Sequence, residues 1–61
     1  MIDNLKTEAT RAIRAGEKLQ DHYRRMETQS DNPRVRAVLH DLLLMEEMNE
    51  VLLRSINERL G

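Results

Sequence analysis

VRAVLHDLLLMEEMNEVLLRSINERL, residues 35–60, decides the fold. Val35, Val38/Leu39, Leu42, Met45/Glu46, Asn49, Leu52/Leu53, Ile56 and Leu60 recur every three or four residues. That is the heptad period of packed helices. Asn49 falls on the middle of the stripe, and at roughly 100° per residue Glu46 lies about 60° to one side of it. On the other side Leu44, Met48 and Val51 extend the apolar arc beyond half the circumference. A surface helix needs an arc of only about 100° to cover one neighbour. The excess implies at least one more neighbour, which a single hairpin cannot supply.

Upstream, Ile2, Leu5, Ala9, Ala12/Ile13, Gly16, Leu19, Tyr23 and Met26 form a second stripe of the same period. It predicts a first helix over about residues 3–29, with Asp3 or Asn4 as its cap. Gly16 inside that helix costs roughly 1 kcal/mol against Ala, which suggests close approach of another helix. Ser30-Asp31-Asn32-Pro33 is the only break. Asn is a strong helix N-cap and Pro is favoured at the first helical position. The turn is therefore expected at 30–32 and the second helix at about 33–60, with Gly61 as a stop. So short a connection makes the helices antiparallel neighbours. The expected fold is all-α: residues 1–61 form one antiparallel two-helix hairpin, assembling into a four-helix bundle by oligomerisation.

Folding about residue 32 pairs positions whose numbers sum to about 64 or 65, so Tyr23 is expected to meet Leu42, and Gly16 to meet Asn49. The expected oligomer seam comprises Gly16, Leu42, Leu44, Met48, Asn49, Val51, Leu52, Leu53 and Ile56. Asn49 in an apolar seam suits a device that fixes register and oligomer state.

Composition narrows the function classes. A chain of 61 residues buries little surface and often needs disulfides, metals or association. It has no cysteine, so disulfides and thiolate metal sites are excluded. The longest apolar run is Leu42–Met45, far short of a membrane span, and the N-terminus lacks a signal-peptide layout. A cytoplasmic location is expected, with no membrane partner. Net charge is −1, which favours neither nucleic acid nor an acidic substrate. No nucleophile triad, glycine-rich phosphate loop or zinc motif is present, so no catalytic residue is expected. His22 and His40 both lie toward the turn and read as surface histidines.

The stretch GEKLQDHYRRMETQSDNPRVRAVLHDLLLMEEMNEVLL, residues 16–53, resembles the two-helix unit of ferritin-like proteins, above all encapsulated ferritins and rubrerythrins. In those families the first helix carries a Glu about seven residues before a Tyr, and the second carries Glu-x-x-His. With Tyr23 on the family's Tyr, Glu46 falls on the Glu of the second motif without a gap. The resemblance spans roughly residues 12–56. Gly16 stands at the position of the first Glu and Asn49 at that of the His. The resemblance therefore implies a degenerate hairpin whose ligand positions are largely lost. No metal is expected; iron, if held at all, would fall to Glu46 with Glu17 and Glu50. Glu46 is also a candidate acceptor for the Tyr23 hydroxyl. A weaker likeness, in LHDLLLMEE, is to short helical hairpins of spore-forming bacteria.

Arg11, Arg14, Lys18 and Arg25 share one outer stripe of the first helix, a footprint that phosphate can occupy. Such a stripe on a dimeric hairpin resembles the small plasmid copy-control RNA-binding hairpins. Asp21 interrupts it, and no second aromatic is available to stack bases. The ordinary expectation is a solvated face with pairs such as Asp21–Arg25 and Glu50–Arg54, opposite an acidic stripe of Glu47, Glu50 and Glu58. The first functional reading is a non-enzymatic, self-associating structural or protein-interaction module. An iron-binding, ferroxidase-type protein with an intersubunit site around Glu46 comes second, and an RNA-binding hairpin dimer third.

Overall fold

The computed structural model describes residues 2–60, with side chains described from Asn4 to Leu60. Two helices, α1 (Ile2–Gln29) and α2 (Pro33–Leu60), pack against each other as an all-α hairpin. Each has 28 residues, about 42 Å at 1.5 Å per residue. The backbone measures 46 × 14 × 11 Å, a single layer one helix thick. Because α1 begins at Ile2, Asp3 and Asn4 both lie inside its first turn and neither caps it. The Ile2 and Asp3 side chains and the Gly61 stop lie outside the described residues.

The turn closes by the chemistry its residues suggest. Asn32 Oδ1 accepts from the backbone N–H of Arg34 at 2.9 Å and of Val35 at 3.3 Å, which satisfies two orphan donors of α2. Pro33 fills the first helical position, where a missing N–H costs nothing. Ser30 Oγ accepts from Asn32 N at 3.2 Å, and Ser30 N donates to Met26 O at 3.1 Å. Among the described residues none has a positive φ, so the reversal needs no glycine.

The contact between the helices differs from the one expected on α1. Ala9, Ile13, Gly16, Gln20, Tyr23 and Glu27 face α2; the first, second and fourth of these are buried and the others half-buried. The more apolar line of Leu5, Ala12, Leu19 and Met26, spaced by sevens, lies on the flank and is exposed. On α2 the facing line is Leu39, Leu43, Glu46, Glu50, Leu53, Asn57 and Leu60. An apolar arc wide enough for two neighbours gives one edge to each, and the intrachain helix takes the edge that includes Gln20.

The resulting core is thin. Among the described residues its buried apolar members are Ala9, Ile13 and Leu39, and none of their large side chains is fully buried. Gln20, 7% exposed, donates through Nε2 to Glu50 Oε1 at 3.2 Å. Asn57 Nδ2 donates to Thr10 Oγ1 at 3.3 Å, while Asn57 Oδ1 and Glu27 Oε1 are buried without a partner. Unsatisfied groups of this kind each cost about 1–3 kcal/mol. Leu39 is the best-packed side chain, 4% exposed. Leu39→Ala is expected to destabilise by about 2–5 kcal/mol. Thermal melting followed by circular dichroism checks this; an unchanged midpoint would misplace the core.

Candidate functional site

The two faces of the hairpin differ in chemistry. Along one, polar side chains bridge the helices. Arg54 Nε donates to Glu50 Oε2 at 3.1 Å, and Arg54 also pairs with Glu17 across the helices at 3.7 Å. The Gln20–Glu50 and Asn57–Thr10 hydrogen bonds lie on this same side. The Arg54 pairs are half-exposed, so each contributes at most about 1 kcal/mol. Glu50, expected on an outer acidic stripe, is instead half-buried between the helices.

The other face is mainly apolar, with Glu46, Asn49 and Arg34 among its lining residues. A groove near its middle is lined by Ala12, Ala15, Gly16 and Leu19 of α1 and by Glu46, Asn49, Leu52, Leu53 and Ile56 of α2. A second groove toward the turn is lined by Met26, Arg34, Val35, Val38, Leu39 and Leu42. The residues expected in one oligomer seam therefore separate into three groups. Gly16, Leu42 and Leu53 are half-buried at the intrachain contact. Asn49, Leu52 and Ile56 are exposed on the grooved face. Leu44, Met48 and Val51 lie on the back of α2, turned away from α1, with Met48 and Val51 each 67% exposed. Leu5, Leu19, Met26, Val35, Val38 and Met45 add to the exposed apolar surface. Val38, Met45 and Leu52 repeat every seven residues, a signal in the sequence that marks this face as separate from the intrachain seam.

Gly16 and Asn49 line the same groove, but Glu46 is the side chain that comes nearest to the glycine. A Cβ built on Gly16 would lie 3.4 Å from Glu46 Oε2, so the Glu46 carboxylate occupies the space beside the glycine. Asn49 is exposed at the edge of the same groove. Glu46 reaches across as a half-buried carboxylate, and among the described residues it has no ion pair. No hydrogen bond joins it to the Tyr23 hydroxyl among those residues.

These positions do not fit a di-iron centre. Such a centre needs inward carboxylates from several helices and a His three residues after a Glu. Glu17 and Glu50 do converge, but on the Arg54 guanidinium and on the opposite face from Glu46. Gly16 and Asn49 bring no carboxylate and no imidazole to the groove. Among the described residues no three His, Asp or Glu side chains are placed to hold a metal together.

The basic stripe is present and exposed at Arg11, Arg14, Lys18 and Arg25. Arg11 is paired with Glu8 at 3.1 Å, and Arg25 Nη2 lies 3.3 Å from His22 Nδ1. Asp21 pairs with Arg24, not with Arg25, because the side chain three residues on is the nearer one here. Lys6, Thr7, Thr10, Arg11 and Arg14 line an open concavity at the N-terminal end of this stripe. His22 and His40 are exposed. Among the described residues no helix is long and apolar enough to cross a membrane.

No family model, no curated protein and no solved structure matches the chain. A two-helix hairpin by itself does not show a ferritin-like relationship. The donor geometry gives an expectation for metal: protein purified without added metal should carry far less than one iron or zinc per chain and oxidise ferrous ion no faster than buffer. Elemental analysis and an oxygen-consumption assay check it. Stoichiometric iron would show that an assembled form gathers ligands that one chain keeps apart.

Proposed function

We propose that this protein is a self-associating helical hairpin, a non-enzymatic structural or protein-interaction module that closes into a four-helix bundle with a second copy. The observation that carries the proposal is the apolar face shared by both helices, running from Leu5 and Ile56 at the open end to Met26 and Val38 at the turn. Contiguous exposed apolar surface of this kind marks an interaction site. Stable domains stack at least two layers around a core, and this hairpin has one layer.

Surface area supports the same reading. The chain exposes 5060 Å², against about 4,100 Å² for a compact monomer of 7.2 kDa. The excess, about 1,000 Å², is close to the roughly 800 Å² that each partner contributes to a standard interface. The radius of gyration is 14.2 Å, where a compact chain of this length would have about 10–11 Å.

Gly16 favours association as well. Nothing in its own chain lies closer to a Cβ there than the movable end of Glu46, so the hairpin alone does not need a glycine. A helix of another copy approaching the small line of Ala12, Ala15 and Gly16 would need it.

Light scattering or sedimentation at micromolar concentration is expected to give at least twice the chain mass. Leu52 is 59% exposed in one chain, so Leu52→Glu removes little intrachain packing. It is expected to abolish the dimer and make the melting temperature independent of concentration. A folded monomer of the unaltered protein, stable across dilution, would sink the proposal.

RNA binding by the Arg14 and Lys18 stripe ranks below association. The unaltered protein is expected not to shift mixed RNA hairpins near physiological salt. Salt-sensitive binding that is lost in Arg14→Glu would reverse that order.

A further inference from the structure

The two edges of the grooved face are unlike. Beyond the groove on α2 the surface stays apolar, through Met45 and Leu52 to Met48, Leu44 and Val51. Beyond it on α1 the surface becomes charged, with exposed Glu8, Arg11, Lys18 and His22. A second copy can cover the groove in two ways. With its turn at the same end, its α1 lies over this α2, and charged side chains border the apolar back of α2. With its turn at the opposite end, α2 lies over α2 and α1 over α1, so apolar edge meets apolar edge.

We propose that the second copy packs on the grooved face about a two-fold axis perpendicular to the helices at the level of Asn49, with α2 against α2, α1 against α1, and the turns at opposite ends. This rests on the self-association proposed above and specifies its geometry.

The α2 face is palindromic about Asn49 to within one residue. An antiparallel copy places Leu42 opposite Ile56 of the partner subunit and Asn49 opposite itself, and sets Met45 within one residue, about 1.5 Å along the axis, of the level of Leu52 of the partner subunit. The one uncharged polar side chain of the apolar stripe thereby gains an amide partner when water is excluded, as a buried polar group requires. A shift of register would leave each amide against hydrocarbon, so Asn49 fixes the alignment. On α1 the same operation sets Leu5 opposite Met26 of the partner subunit and Ala12 opposite Leu19 of the partner subunit. It brings Ala15 and Gly16 of both copies together at the crossing point. The two palindromes share one axis because Ala15, Gly16 and Asn49 line the same groove. At the outer edge of α2, Asp41 falls within about 3 Å along the axis of the level of Arg59 of the partner subunit, twice by symmetry. Met48 lies next to Met48 of the partner subunit, which extends the contact onto the back of α2.

The chain has no cysteine, so Asp31→Cys in the exposed turn takes a single nitroxide label away from either face. Dipolar spectroscopy on the labelled protein is expected to give one intermolecular distance of about 45 Å, the length of the hairpin. A distance near 20 Å would place the turns together; association would stand and the proposed geometry would be overturned. No intermolecular distance, with a monomer mass, would instead overturn the self-association on which it rests. As a second reading, Asn49→Cys should form a disulfide between copies in quantitative yield under mild oxidation, since only an axis through residue 49 brings the two Cα atoms within about 7 Å. A reduced Asn49→Cys dimer that resists oxidation would also overturn it.

Discussion

Two helices share one line of contact, and this chain places little along it. Ala9, Ile13 and Leu39 are the buried apolar residues, with Gln20 among them. Burying a large aliphatic side chain contributes roughly 1.5–3 kcal/mol, and no large side chain here is fully buried. Ordering a residue's backbone costs about 1–2 kcal/mol. Two helices of 28 residues joined by so small a core have little intrachain apolar burial to set against that cost.

The polar and apolar groups are sorted across the hairpin accordingly. Arg54, Glu50, Glu17, Gln20, Thr10 and Asn57 link the helices on one side. Their bonds are partly solvated and weak, yet they hold the helices in one rotational setting. That setting turns Leu19, Met26, Val38, Met45 and Leu52 outward on the other side. A hairpin meant to remain alone would rotate these residues into its own contact, where Gln20, Glu46 and Glu50 now sit. The polar seam thus leaves the apolar line of each helix on the outer face.

Much of the fold is legible in the sequence because its signals are local. Asn32 and Pro33 mark the start of α2, and the Asn32 side chain caps the helix as its residue type suggests. The 3–4 spacing specifies two helices, and the short turn makes them antiparallel. The rotation of each helix about its own axis is not local. On α1 the apolar line through Leu5, Leu19 and Met26 reads as the intrachain contact, yet the neighbouring line through Ile13 and Gln20 takes that place. Periodicity reports how wide an apolar arc is, not which neighbour covers which edge. Side-chain reach is a further non-local effect: Glu46 fills the space beside Gly16 because a long side chain reaches a different level from its backbone. Glu17 and Glu50 illustrate it again, drawn to Arg54 by charge pairing across the seam.

Gly16 and Glu46 are best understood together. Both lie near the midpoints of their helices, and the carboxylate fills the space where a larger side chain would stand. In the hairpin alone that arrangement is wasteful, since Ala at position 16 would favour the helix and meet only a movable oxygen. Between two copies it becomes coherent. In the proposed dimer the exposed Ala12 and Ala15 beside the glycine would let two α1 helices approach closely where they cross, and small residues are what close helix crossings require. In the proposed dimer Glu46 would lie beside a pair of Asn49 amides, which would supply N–H donors to a carboxylate that has no ion pair among the described residues of its own chain. In the proposed dimer the glycine, the carboxylate and the amide of each chain would lie together at the two-fold axis. That complementarity, more than any single apolar residue, argues for the second copy as the occupant of the groove.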